Sequence, residues 1–193
     1  GAQAEAQVLG VCEVRSIEEV RVYSRTRPRA EALAEHLRTI GVPVPPAIRV
    51  VDSPAEAVRG ADIVVTATTS PVPVFSDADL TPGAHVNAIG AFTPETRELE
   101  TATIRRAKVV VDSRTAALSE AGDILIPMGE GAVSEDHIYA ELGEIVLGKK
   151  PGRTDPEEIT VFKSVGNAAQ DVAVGGLALV EAERLGLGVQ VEL

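Results

Sequence analysis

Apolar positions along this chain follow two rhythms that alternate from one segment to the next. Residues 2–14 carry them at helical spacing. Residues 19–24 are a short strand pattern, Glu-Val-Arg-Val-Tyr-Ser. A helix is predicted from Arg27 to about Ile40, with Thr26 as its cap and Pro28 in the first turn, where a missing N–H costs little. Gly41 is placed to end it. Residues 47–51 form the next strand, and Ser53-Pro54-Ala55-Glu56 reads as a capping box opening a brief helix that stops near Gly60. Residues 63–67 are almost continuously apolar, as in a strand covered on both faces. Residues 84–88 and 108–111 repeat that character. Ser113 opens a helix through about Glu120, and Ser134 or Asp136 is expected to open another running to Gly148. Lys149 to Arg153 reads as a surface turn, and residues 159–162 as the last strand. From Asn167 to Leu185 runs a long helix, apolar on more than one face, which is expected to pack on something beyond its own sheet.

Strands alternating with helices through short links predict an α/β fold, a doubly wound parallel sheet of the Rossmann-like, dinucleotide-binding kind. Composition agrees. Aromatic residues make up only 3 % of the chain and Trp is absent, so Val, Ile, Leu and Ala must build the core, which suits a parallel sheet under helices. Net charge −11 disfavours nucleic acid or an anionic membrane as partner. No apolar run approaches the roughly 18 residues of a membrane span, and the cytoplasm is the expected location. Cys12 is the single cysteine, expected as a small buried side chain without a disulfide. Against the acidic background, the basic run Arg25 to Arg29 is either a solvated helix start or a site for a small anion.

Position favours the anion. Gly1-Ala2-Gln3-Ala4 reads as the second half of a G-x-G-x-x-G/A loop, whose N–H groups at a helix start can hold a pyrophosphate. About twenty residues on, where such folds place the group that reads the adenosine ribose, stand Ser24, Arg25 and Thr26. A carboxylate there would repel a 2′-phosphate, whereas a hydroxyl and a guanidinium can bind one, so NADP(H) is expected in preference to NAD(H). Three more segments end strands, where ligands of these folds bind: Thr66, Ala67 and Thr68; Ala88 and Gly90; Val165 and Gly166. Gly90 suggests a close backbone approach or an unusual dihedral. The loop from Lys163 to Asn167 can touch nicotinamide or substrate, or simply cap a helix. His36, His85 and His137 are not spaced as metal ligands, and no metal is expected. No strand precedes the glycine loop, and a sheet lacking its central strand would expose two edges, so the chain is expected to belong to a longer polypeptide.

Taken together, six blocks resemble the ornithine cyclodeaminase/mu-crystallin family. They are Gly-Ala-Gln-Ala at 1–4, Val-Tyr-Ser-Arg-Thr at 22–26, the stretch from Ala61 to Ser70, His-Val-Asn-Ala-Ile-Gly at 85–90, Val-Val-Val-Asp-Ser-Arg at 109–114 and the stretch from Val161 to Asp171. The resemblance implies an N-terminal region ahead of residue 1 that carries substrate-binding Arg and Lys residues and a homodimer interface. On that reading residues 1–166 are the dinucleotide-binding domain, and residues 167–193 are a C-terminal helix returning to the substrate and dimerisation domain. Ornithine cyclodeaminases carry an Asp for proton chemistry two residues after the glycine matching Gly90. Here that position is Phe92, which cannot move a proton, so no catalytic residue is assigned and Thr93 is a candidate beside its reading as a turn-capping hydroxyl. Relatives with an aromatic residue followed by Thr-Pro look like reductases of cyclic imines. The resemblance therefore implies an NADPH-dependent oxidoreductase acting on the C=N bond of a small cyclic imine carboxylate such as pyrroline-2-carboxylate. An amino-acid dehydrogenase, an ornithine cyclodeaminase and an NADP-binding protein without turnover stand as alternatives.

Overall fold

In a computed structural model, which describes residues 2–189 and 191, the strands divide between two sheets. Helix α1 (Ala2–Val14) leads into β1 (Glu19–Val22), α2 (Arg27–Ile40) and β2 (Ala47–Val50). Strands β1 and β2 pair in parallel, Glu19 opposite Ala47 through Val22 opposite Val50, and form a two-stranded sheet. After α3 (Pro54–Val58) come β3 (Ile63–Thr66), β4 (His85–Ala88), α4 (Thr101–Arg106), β5 (Lys108–Val111), α5 (Arg114–Glu120) and α6 (Gly122–Gly129). Then follow β6 (Ile138–Glu141), α7 (Leu142–Val146), β7 (Thr160–Lys163) and α8 (Ala168–Leu185). These build a second, wholly parallel sheet in the order β3-β4-β7-β5-β6. The α/β class is as expected.

The difference lies between residues 134 and 148. The expected helix there is a 3-10 turn (Glu135–His137), then strand β6, then the short α7. Ile138 and Ala140 alternate inward with period two and pair beside Val109 and Val110, so tertiary pairing overrides a segment whose propensity is ambiguous. Helices α4 and α6 were not expected either. α6 carries Pro127 inside it, a residue that ordinarily reads as a breaker. At the start of α2, Thr26 makes no side-chain cap, and its own N–H instead donates to Ser24 Oγ at 3.2 Å. The Ser53 cap does form, accepting Glu56 N–H at 3.2 Å, but Glu56 reaches back to the Asp52 N–H, one residue beyond the Ser53 N–H of a true box.

Side chains alternate across the larger sheet. Val64, Val86, Ala88, Val109, Val111 and Val161 face one side and make the main core with Leu99, Ile104, Ala117 and Ile124. Ile63, Val65, His85, Asn87 and Phe162 line the other side and stay half-buried. A smaller core of Ala34, Leu37, Val44 and Ile48, with Val8 and Leu9 of α1 against it, holds α2 on the two-stranded sheet. Cys12 is buried, as expected. No residue of α8 is buried, and Val172, Val174, Leu177, Leu179 and Val180 are exposed along it. Among the described residues, no helix is long and apolar enough to cross a membrane.

His85 gives the fold an acid-sensitive point. Its ring contacts Thr160 Oγ1 through Nδ1 at 2.7 Å and Asn87 Oδ1 through Nε2 at 3.1 Å. Burial holds its pKa below the ordinary histidine value, and nearby Arg153 and Arg15 add to that against the Asn87 contact. The folded state thus binds this proton less readily than the unfolded chain. Its stability contribution is complete above the ordinary histidine pKa and falls as pH drops through it toward the folded value. Denaturant midpoints measured between neutral and mildly acidic pH are expected to decline less in His85→Gln than in the wild type; equal slopes would exclude His85 as the source.

Candidate functional site

The carboxyl ends of β3, β4 and β7 are neighbours, because Thr66, Ala88 and Lys163 share one row across the sheet. Three loops therefore leave the sheet side by side. These strand ends and loops together carry seven of the residues expected at a cofactor site: Thr66, Ala67, Thr68, Ala88, Gly90, Val165 and Gly166. Thr66 is itself buried, with a hydroxyl that has no partner among the described residues, so the exposed hydroxyls at this edge are those of Thr68 and Thr69. Gly90 meets the first of its two expectations, close approach. A Cβ there would collide with the backbone N and O of Thr68 and with Glu98 Oε1, while its φ is not positive.

What fixes these loops is a set of buried charges that sequence reasoning missed. Glu98, fully buried, accepts the Thr68 N–H on Oε1 and the Gly90 N–H on Oε2, each at 2.7 Å. Asp123, also fully buried, accepts the N–H groups of Glu98 and Leu99 on Oδ1 at 2.8 and 2.9 Å. Lys163 was a ligand-facing possibility in its loop. Its side chain instead turns inward, fully buried, and Nζ donates to the carbonyls of Ala88 at 3.1 Å and Ala91. Asp123 Oδ2 lies 3.1 Å from that ammonium, a charge contact without hydrogen-bond alignment. On the far side, Asp112 at the end of β5 receives the Ser164 hydroxyl and the N–H groups of Val165 and Gly166 on one oxygen, at 2.8, 3.0 and 2.9 Å. Carboxylates that accept several backbone N–H groups are strong anchors.

The remaining expected residues sit elsewhere. Ala2 and Gln3 open α1, with N–H groups at a helix start, whereas Gly1 lies outside the described residues. Ser24, Arg25 and Thr26 follow β1, at the carboxyl end of the separate two-stranded sheet. Arg27, next along, is engaged by Glu31 and Asp52, while Arg25 is exposed and makes no ion pair among the described residues. Within that basic run, Arg25 is thus an uncommitted guanidinium suited to a phosphate. Phe92 projects into solvent, 60 % exposed. Thr93 turns its hydroxyl to Thr96 Oγ1 at 3.0 Å, and its carbonyl accepts the N–H groups of Thr96 and Gly122. The histidines are dispersed: His36 pairs with Glu5, His85 sits as described, and His137 meets the Ile104 carbonyl.

This arrangement offers backbone amides, small side chains and the unpaired Arg25 guanidinium along the carboxyl edges of parallel strands, which suits a dinucleotide. Known proteins resemble the chain in sequence and in fold. A Δ1-pyrroline-2-carboxylate reductase of Bacillus cereus is 44 % identical over the whole chain, and the chain spans 58 % of that relative's length. The mouse ketimine reductase mu-crystallin is 41 % identical over 92 % of the chain, which spans 51 % of it. Among solved structures, the Δ1-pyrroline-2-carboxylate reductase of Thermococcus litoralis, in complex with NADH and L-proline, superposes with a TM-score of 0.95 at 42 % identity, covering 99 % of this chain and 58 % of its own. An archaeal alanine dehydrogenase dimer with bound NAD follows, with a TM-score of 0.91 at 32 % identity over the whole chain and 58 % of its own. The model of the ornithine cyclodeaminase/mu-crystallin family matches residues 1–182, and this chain belongs to that family.

Proposed function

We propose that this chain is the dinucleotide-binding part of a nicotinamide-dependent reductase that acts on the C=N bond of a small cyclic imine carboxylate such as pyrroline-2-carboxylate. The observation that carries the reading is the 44 % identity, over the whole chain, to a relative named for that reaction. The solved relative that binds NADH and L-proline supports it, since L-proline is the product such a reduction would give. A bound dinucleotide would supply a hydride to the imine carbon, and the ring nitrogen, protonated beforehand, would become the amine. The chain's own part is placement. Helix α1 offers N–H groups to the pyrophosphate, and the loops after β3, β4 and β7 present small side chains to the ribose and nicotinamide. A protonated iminium needs no strong acid at the moment of hydride transfer, so Phe92 in place of a carboxylic acid is compatible with reduction. It is not compatible with the proton chemistry of ornithine cyclisation.

NADPH is the cofactor we favour, on Ser24 and the uncommitted Arg25, although the solved reductase relative carries NADH. Arg25→Ala is expected to weaken NADPH binding by about 1.5–3 kcal/mol, the range for a charged hydrogen bond, and to leave NADH nearly unchanged. Titration of the two cofactors by fluorescence checks this; equal losses would remove the 2′-phosphate reading. A cytoplasmic homodimer completes the proposal, with residues 1–166 as its dinucleotide-binding domain and residues 167–193 as a C-terminal helix returning to the substrate and dimerisation domain.

One other reading has an observation behind it, the likeness to an alanine dehydrogenase with bound NAD. The deciding experiment follows NADPH and NADH oxidation by the full-length protein, first with pyrroline-2-carboxylate and then with pyruvate plus ammonia. Turnover with the cyclic imine supports the reductase. Turnover only with pyruvate and ammonia makes the protein an amino-acid dehydrogenase. Cofactor binding without turnover on either points to a binding protein.

A further inference from the structure

Past the row of Thr66 and Ala88, the ladder between β3 and β4 ends with one more bond, from the Ile89 N–H to the Thr66 carbonyl at 2.9 Å. Two loops leaving adjacent parallel strands have no reason of their own to stay in step beyond that point. Glu98 supplies one. Its two carboxylate oxygens take the Thr68 N–H, thirty residues earlier, and the Gly90 N–H, eight residues earlier, so a single rigid planar group spans both tips. Glu98 is in turn held from both sides, its N–H by Asp123 Oδ1 at 2.8 Å and its carbonyl by the Val74 N–H at 2.9 Å. Because it is fully buried, it cannot touch a ligand. Gly90 lets the loops close onto it, since a Cβ there would occupy the space of Glu98 Oε1.

We infer that Glu98 is a positioning residue for dinucleotide binding, a buried carboxylate that sets the separation of the Thr68 and Gly90 loops where the nicotinamide half of the cofactor lies. The inference rests on the dinucleotide reading above. Its physical core is that both oxygens are occupied by N–H donors. Glu98→Gln keeps shape and size but replaces one acceptor with an amide NH2, setting donor against donor at one of the two loops. That loop must then move or leave its N–H unpaired.

The test uses the full-length protein and separates the two ends of the cofactor. NADPH and NADH report the whole site, while AMP and adenosine 2′,5′-bisphosphate report the adenosine end alone. In Glu98→Gln the affinity for the dinucleotides is expected to fall about tenfold or more, the effect of one lost charge-assisted bond, with the fragments changing less than about twofold. Leu99→Ala, a neighbouring core truncation, serves as control and is expected to lower Tm without altering the ratio of dinucleotide to fragment affinity. Glu98→Asp keeps the charge but reaches only one loop; it is expected to shift the ratio in the same direction, and it replaces Glu98→Gln if that variant does not fold. Equal loss for dinucleotide and fragment, no loss of either, or the same ratio change in Leu99→Ala would overturn the inference while leaving the dinucleotide reading intact. If the wild type bound fragments and dinucleotides no better than background, that reading would fail first and take this inference with it.

Discussion

Lys163→Met is expected to destabilise the fold by about 3–5 kcal/mol, the usual result of removing one partner from a buried charge pair. Asp123 would be left fully buried with its Oδ2 facing an apolar side chain, and the carbonyls of Ala88 and Ala91 would lose their donor. Asp123→Ala should cost a similar amount for the mirror reason, stranding the ammonium and freeing the N–H groups of Glu98 and Leu99. Chemical denaturation of each single variant and of the pair measures this. Many buried pairs can be exchanged for apolar residues at little cost, because the attraction merely offsets desolvation. Here each partner also satisfies backbone groups that have no substitute, so the double variant Lys163→Met/Asp123→Leu should remain several kcal/mol less stable than the wild type. A double variant of near wild-type stability would show that the backbone contacts contribute little.

Leu37→Ala should cost about 2–5 kcal/mol, and the loss should be felt unevenly. Among the described residues, the small core on which α2 rests is built from buried Ala34, Leu37, Val44 and Ile48, so Leu37 supplies much of its apolar volume. The main core draws on many more side chains and does not include Leu37. Hydrogen exchange should therefore show the amides of β1 and β2 losing protection while those of β4, β5 and β7 keep theirs. Uniform loss of protection would mean that the two sheets unfold as one unit. Because Ser24, Arg25 and Thr26 follow β1, this truncation should also weaken binding of an adenosine fragment.

Much of the fold could be read from the sequence because the strands are nearly continuous apolar runs. Ile63 to Val65 and Lys108 to Val111 admit few other readings; the first leads into a loop of the candidate site, and the second ends at Asp112, which anchors another. Strand β6 escaped because Ile138-Tyr139-Ala140-Glu141 is short and stands directly before a helical turn, so only its pairing with β5 decides its state. Gly90 was legible as a point of close approach because glycine at a strand end has few other uses. The groups that hold the site were not legible. Glu98, Asp112 and Asp123 look like ordinary surface acids in sequence, and their partners are backbone amides of distant segments, which no side-chain pattern advertises. Lys163 misleads in the opposite sense, since a lysine at a strand end reads as a contact for ligand and is in fact buried.

The strand order carries a consequence for how the chain comes together as it is made. Among the described residues β7 is the last strand in sequence, yet it sits between β4 and β5 and bonds to both. Until residues 160–163 leave the ribosome, β4 lacks a partner on one side and β5 is joined only to β6. The sheet therefore exists as two halves until that strand is inserted at its centre. Lys163, Ser164, Val165 and Gly166 arrive with that strand, so Lys163 meets Asp123, and Asp112 meets its loop, only at the closing step. Nascent chains halted before residue 160 should thus be vulnerable to protease and to pairing with one another through the open edges.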